Sequence, residues 1–178
     1  MSSREAFLQR VRQAVAEGNR AGSAAPLPAR GNVGYQGAGD DPVKRFCQEL
    51  ANAGGTGHYV DATAVLPEIQ AVLQRHAAKR ILLTRGGMVE SFGLADKLRT
   101  MGFEVCISND GQQPTREEFF AADVGITNAY RLIAETGTVV VSSEPNEPRS
   151  ASLLPPVHIA LASCSQILPD LFDLFDLF

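Results

Sequence analysis

The chain has no tryptophan, and only three cysteines, three methionines and three histidines among its 178 residues. Cys47, Cys106 and Cys164 stand far apart without a Cys-x-x-Cys spacing, which argues against a zinc or iron-sulfur site built by this chain alone. No metal and no cofactor is therefore expected. An odd number of cysteines without an export signal reads as reduced thiols, each a small hydrophobe in or beside an apolar segment. Long apolar runs are also missing: none approaches the ~20 residues that cross a bilayer. The first segment carries Arg4, Glu5 and Arg10 where a signal peptide would be apolar. The expectation is a cytoplasmic protein with no membrane insertion. Nor is there an excess of basic charge. Sixteen Lys and Arg against twenty Asp and Glu leave a net charge of -4, and the basic residues are scattered, so no footprint for nucleic acid is present.

What is present is enough for a core. Hydrophobic residues make up 44% of the chain, and its length fits one domain of ordinary size. Residues 4–17 place Ala6, Phe7, Val11, Ala14 and Val15 at helical spacing, with Ser2 or Ser3 as N-cap and a stop at Gly18-Asn19. Residues 22–41 are rich in Gly, Ala and Pro and read as a linker or mobile arm. Pro42 opens a second helix to about residue 53, closed by Gly54-Gly55. A short strand over 56–60 and a helix over 64–77 capped by Thr63 follow. Residues 80–84 read as a buried strand, then come Arg85-Gly86-Gly87, a helix over 89–101 and a strand over 103–107. Strand, glycine turn, helix, strand is the grammar of a parallel α/β sheet. The expected fold is α/β and Rossmann-like, with the N-terminal helix and arm (1–41) preceding an α/β domain (42–178). The Arg85-Gly86-Gly87 turn lies at the carboxyl end of a strand, where such sheets bind ligands, but it does not match Gly-x-Gly-x-x-Gly.

The densest chemistry lies between residues 122 and 156. Thr115 and Glu118 have capping-box spacing ahead of it. Residues 124–127 read as a strand, 128–134 as a turn of helix and 138–141 as a buried β-branched strand. Between the last two, Glu135, Thr136, Gly137 and Thr138 set a carboxylate and two hydroxyls around a glycine free to adopt positive φ or to let a ligand approach. Read locally, this corner is either a hairpin turn with capping hydroxyls or a ligand-binding corner. Arg149, flanked by Ser150 and Ser152, suits an anionic group because guanidinium offers a planar fork. A solvated pair with Glu144 or Glu147 is the alternative. His158 begins a strand, either as a structural residue or as a base.

Taken together, these residues resemble a known family. The run from Gly125 to Val141, followed by Arg149, Ser152, Leu153-Leu154-Pro155 and His158-Ile159, is similar to the signature of the LUD domain, in particular the lactate-utilization protein C family. The resemblance implies a fold like that of the glucosamine-phosphate deaminase, ribose-phosphate isomerase and CoA-transferase group. It further implies a role in oxidising L-lactate to pyruvate with iron-sulfur partner proteins. Under it Glu135 becomes a candidate catalytic residue, while Thr127, Thr136, Gly137, Thr138, Arg149, Ser152 and His158 become candidate ligand-binding residues. The family's further segment, with Gly-Pro-Ser, Asp-Ile-Glu and Gly-Val-His-Gly-Pro motifs, has no counterpart here. Residues 170–178 carry an Asp-Leu-Phe repeat instead.

Three functions are compatible with this reading. The first is a non-cluster subunit or accessory protein of an L-lactate utilization system, with a site for a small anionic ligand. The second is an enzyme acting on a small acyl or phosphorylated substrate, with Glu135 as general base or nucleophile. The third is a ligand-sensing module. Assembly as a homo-oligomer is compatible with all three.

Overall fold

The structure, a computed structural model, describes residues 3–18, 37–108, 115–144 and 147–177. Most of the arm expected over 22–41 lies outside them. Two compact units divide the chain, residues 1–35 and 36–178. In the first, the amphipathic pattern forms helix α1 (Ser3–Gly18), on which Phe7, Val11 and Val15 recur every fourth residue and are exposed. Among the described residues no helix is long and apolar enough to cross a membrane.

The second unit is built on a four-stranded parallel sheet. Its strands are β1 (Arg80–Leu83), β2 (Glu104–Ile107), β3 (Val124–Asn128) and, later in the chain, Val157–Leu161, in the spatial order β2, β1, β3, Val157–Leu161. Alternation along β1 divides the core. Ile81 and Leu83 face one cluster, which holds Ile69 and Leu73 of α3 (Val65–Arg75), Val89 of α4 (Gly87–Ser91), and Leu94 and Leu98 of α5 (Leu94–Thr100). Leu82 faces the other way, onto Ala122 and Ala151 with Phe119 of α6 (Arg116–Ala121) beside them. Each fully buried Leu or Ile contributes roughly 1.5–3 kcal/mol, so a strand of four residues is held from both faces. The parallel α/β expectation is met.

A smaller three-stranded sheet completes the unit. β4 (Arg131–Ile133) pairs antiparallel with β5 (Thr138–Val140), and on its other side runs parallel to Ile167–Leu168. Helix α2 (Pro42–Asn52) packs Phe46, Cys47 and Leu50 against it. We label α7 (Ser150–Leu153), β6 (Val157–Leu161), β7 (Ile167–Leu168) and α8 (Leu171–Phe175) in chain order. The Asp-Leu-Phe repeat forms α8, with buried Asp170 as its N-cap accepting from the amides of Phe172 and Asp173.

Several local expectations change. Residues 128–134 are not helical: Arg131–Ile133 form β4 because strands on both sides supply hydrogen bonds that a local reading does not see. Residues 138–141 do not form a strand covered on both faces. β5 is the outer strand of the small sheet, and Thr138 is exposed. Residues 56–60 join no sheet; His58 Nδ1 instead lies 2.8 Å from Glu68. The helix expected over 89–101 breaks into α4 and α5 at Gly93, whose φ of 58° is left-handed. Thr63 does not cap α3, since a turn over 62–64 intervenes and Ala64 takes the N-cap position. By contrast, the Thr115–Glu118 capping box forms as expected, with both hydrogen bonds in place.

Asp123, just before β3, ties the two central strands at their start. Its Oδ2 accepts from the amides of Lys79 (2.8 Å) and Arg80 (2.9 Å). These bonds, that from Arg80 foremost, hold its carboxyl below its ordinary value of 3.8. A depressed pKa stabilises the fold above the unfolded-state value and loses that contribution as pH falls through the folded one. Asp123→Ala is expected to lower stability by about 1–2 kcal/mol at pH 7, toward the low end because solvent reaches the pair. Thermal melts should show the gap between wild type and variant closing below about pH 4.

Candidate functional site

The order of the main sheet creates a switch point. From β1 the chain crosses through α4 and α5 to β2 on one side, then through α6 to β3 on the other. Loops leaving the carboxyl ends of β1 and β3 therefore diverge, and open α/β sheets bind ligands in that crevice. Here it holds a cleft partly open to solvent, whose free space of about 10 Å³ is that of roughly one water molecule.

Two strands supply its floor. Thr84 follows β1 and is 1% exposed, while Thr127 and Asn128 end β3. The walls come from Val141 and Ser142 after β5 and from Glu147, Pro148, Arg149 and Ser152 around the start of α7. What brings α7 over the floor is Gly125. A side chain there would run into the carbonyl oxygen of Ala151 and meet Pro155 Cγ at 3.1 Å.

Asn128 is the hub of the cleft. Its Oδ1 accepts from the Val89 amide (3.2 Å), and its Nδ2 donates to Gly86 O (3.1 Å) and to Glu147 Oε1 (2.7 Å). These bonds clamp the Arg85-Gly86-Gly87 turn, in which Gly86 and Gly87 both have positive φ. Nearby, Thr127 Oγ1 and His158 Nε2 are 2.9 Å apart. Crowding against protein lowers the His158 pKa through desolvation, so near neutral pH the ring is an uncharged partner that fixes the Thr127 hydroxyl. Ser152 Oγ donates to Arg149 O (3.1 Å), leaving its lone pairs for other partners. The Arg149 side chain is exposed and forms no ion pair among the described residues. The alternative in which Arg149 pairs with Glu144 or Glu147 does not form: Glu147 bonds to Asn128, and Glu144 accepts from Ser142 Oγ at 3.2 Å.

Of the residues singled out in the sequence, Thr127, Arg149, Ser152 and His158 thus come together. The Glu135 corner sits elsewhere. It is the β4–β5 hairpin turn, at the far end of β5 from Val141, about 10 Å away at strand rise. Thr136 and Thr138 bond to each other through their hydroxyls (2.8 Å), and the Glu135 amide donates to Pro169 O (3.0 Å). Gly137 has φ 65°, and α2 makes the close approach to it. Thr84, Asn128 and Glu147 carry the cleft; sequence reasoning passes over the first two and sees Glu147 only as a possible partner of Arg149. The signal that could find the first two is a polar residue ending each of two buried apolar strands.

None of the three cysteines is among the residues lining the cleft. Burial pushes the pKa of Cys47 and Cys106 up, with Asp41 and Glu118 respectively adding to the effect. Among the described residues no three His, Cys, Asp or Glu side chains converge as a metal site would require. Chemically, the cleft offers amide and hydroxyl donors and one guanidinium around a carboxylate. That set suits binding of a small polar anion.

Comparison with known proteins agrees with this architecture. A family model described as the LUD domain matches residues 43–178. Lactate utilization protein C of Halalkalibacterium halodurans is 35% identical over 101 residues, covering 57% of this chain and 44% of that protein, so the match spans less than half of the relative. Lactate utilization protein C of Anoxybacillus flavithermus is 26% identical over 171 residues, 93% of this chain and 76% of that one. A crystal structure of a DUF162 family protein from Deinococcus radiodurans superposes with a TM-score of 0.61 at 22% identity, over 74% of each chain.

Proposed function

Because the chain belongs to the LUD domain family, we propose that it is a component of an L-lactate utilization system, acting beside iron-sulfur proteins as a subunit that carries no cluster. Its site is the cleft at the switch point, which binds a small organic anion. We assign that site to residues 42–178. The reading is supported by relatives named for lactate utilization. It is carried by one observation: Arg149, whose guanidinium forms no ion pair among the described residues, borders a cleft at the edge where α/β sheets take ligands.

The test has a cellular and a molecular arm. Cells lacking the protein should grow poorly on L-lactate and normally on glucose, and Arg149→Ala should fail to restore growth. By calorimetry, Arg149→Ala should bind L-lactate or pyruvate about 10- to 100-fold more weakly than wild type, the range expected for one charge-assisted contact. Iron-bearing proteins should accompany the tagged chain from lactate-grown cells. Unaltered growth of the deletion strain on L-lactate would end this proposal.

A further inference from the structure

We infer that Asn128 and Thr84 form a seat for the carboxylate of a small organic acid, and that Glu147 occupies the seat as a resident stand-in. This rests on the anion-binding reading and names how the anion is held.

The argument begins with the direction of the Asn128 amide. With Oδ1 accepting from Val89 and one Nδ2 hydrogen shared between Gly86 O (3.1 Å) and Arg85 O (3.4 Å), the remaining N–H has one direction left, and Glu147 Oε1 lies along it at 2.7 Å. That length is typical of a donor meeting a charged acceptor. Gly87 permits the tight geometry, because a Cβ there would come within 2.6 Å of Asn128 Oδ1 and 2.8 Å of its Cγ. The Thr84 hydroxyl approaches the same Glu147 oxygen at 3.5 Å from the neighbouring strand. Two strands thus aim neutral donors at one carboxylate oxygen, and nothing in either strand requires that the carboxylate be the protein's own.

Glu147 has little else to hold it there. It lies outside the main sheet and the helices, in a single bridge with Glu144, and it bonds to the amide rather than to Arg149 two residues on. Arg149 borders the same cleft. A ligand carboxylate could use both the seat and the guanidinium, with a hydroxyl or keto oxygen reaching toward Thr127. Two carboxylates cannot share one seat without strong repulsion, so binding requires Glu147 to leave. Apparent affinity then falls by the fraction of molecules in which Glu147 is already out.

Calorimetric titration of the full chain with L-lactate, pyruvate and acetate tests this. Glu147→Ala should bind all three acids about tenfold or more tightly than wild type, acetate included because it carries only the carboxylate. Glu147→Gln, which keeps the volume, should fall between the two and controls for folding. Adding Thr84→Val to Glu147→Ala should reverse most of the gain. If wild type binds an acid and Glu147→Ala binds it equally or more weakly, Glu147 is not a stand-in. The inference is then overturned while the anion site survives. If inorganic phosphate gains affinity in Glu147→Ala and the acids do not, the carboxylate assignment is wrong. Absence of acid binding in every variant overturns the seat and the anion reading together.

Discussion

Gly125→Ala should destabilise the protein by about 3 kcal/mol and abolish the L-lactate binding proposed for the cleft. The added methyl group would fall on the carbonyl oxygen of Ala151, with Pro155 on its other side. Both neighbours are rigid, one being backbone and the other a ring, so no rotamer change relieves the overlap. Forcing volume into a packed site costs roughly 1–3 kcal/mol, and the upper end applies when backbone must move. The movement available is for α7 to lift from β3. Lifting it uncovers Leu82 and Ala122, which pack against Ala151, and carries Arg149 and Ser152 away from Thr127. Urea denaturation and L-lactate titration should therefore fail together in this variant. A melt within about 1 kcal/mol of wild type, or a stable fold that still binds, would contradict the close approach.

A second glycine should matter as much for a different element. Gly137→Ala is expected to cost about 3–4 kcal/mol. At φ 65° alanine carries roughly 1–2 kcal/mol of strain. Its Cβ would also run into the Leu50 amide nitrogen and the Glu49 carbonyl carbon of α2, adding roughly 1–3 kcal/mol. For a chain of this size that sum lowers Tm by about 10 °C. Asparagine separates the two causes, because it tolerates left-handed backbone yet keeps a Cβ. Gly137→Asn should remain strongly destabilised. Gly93→Asn should stay within about 1 kcal/mol of wild type, since Gly93 has a similar φ of 58° and an added Cβ there would meet nothing within 4 Å.

These two positions also show how far the sequence can be read. The main-sheet strands are legible because β1 and β3 are short apolar runs buried on both faces, and the Thr115–Glu118 box because its partners lie three residues apart. Gly137 is legible as a residue of positive φ. What approaches it is not, since α2 is more than eighty residues away in sequence. β4 reads locally as helix because its partners, β5 and β7, lie on separate segments and neither leaves a mark on residues 131–133. The same reason hides the cleft. Thr84, Asn128 and Glu147 are ordinary residues one at a time, and only the crossover between β1 and β3 brings the first within reach of the last, 63 residues later. Arg149 and Thr127 stand out through composition and family likeness, whereas Glu135 stands out for chemistry that the hairpin places at the other end of β5.

The packing of α2 has a consequence for synthesis. Phe46, Cys47 and Leu50 find their partners on β4, β5 and β7, the last at Ile167, roughly 120 residues further along the chain. At ~5–20 residues per second, the ribosome leaves that apolar face without its cover for on the order of ten seconds. Within that interval the main-sheet strands from β1 to β3 emerge and can pair with one another, while α2 waits. The helix that comes first in this unit is thus among the last to be seated, and until then Phe46 stays uncovered on the nascent chain.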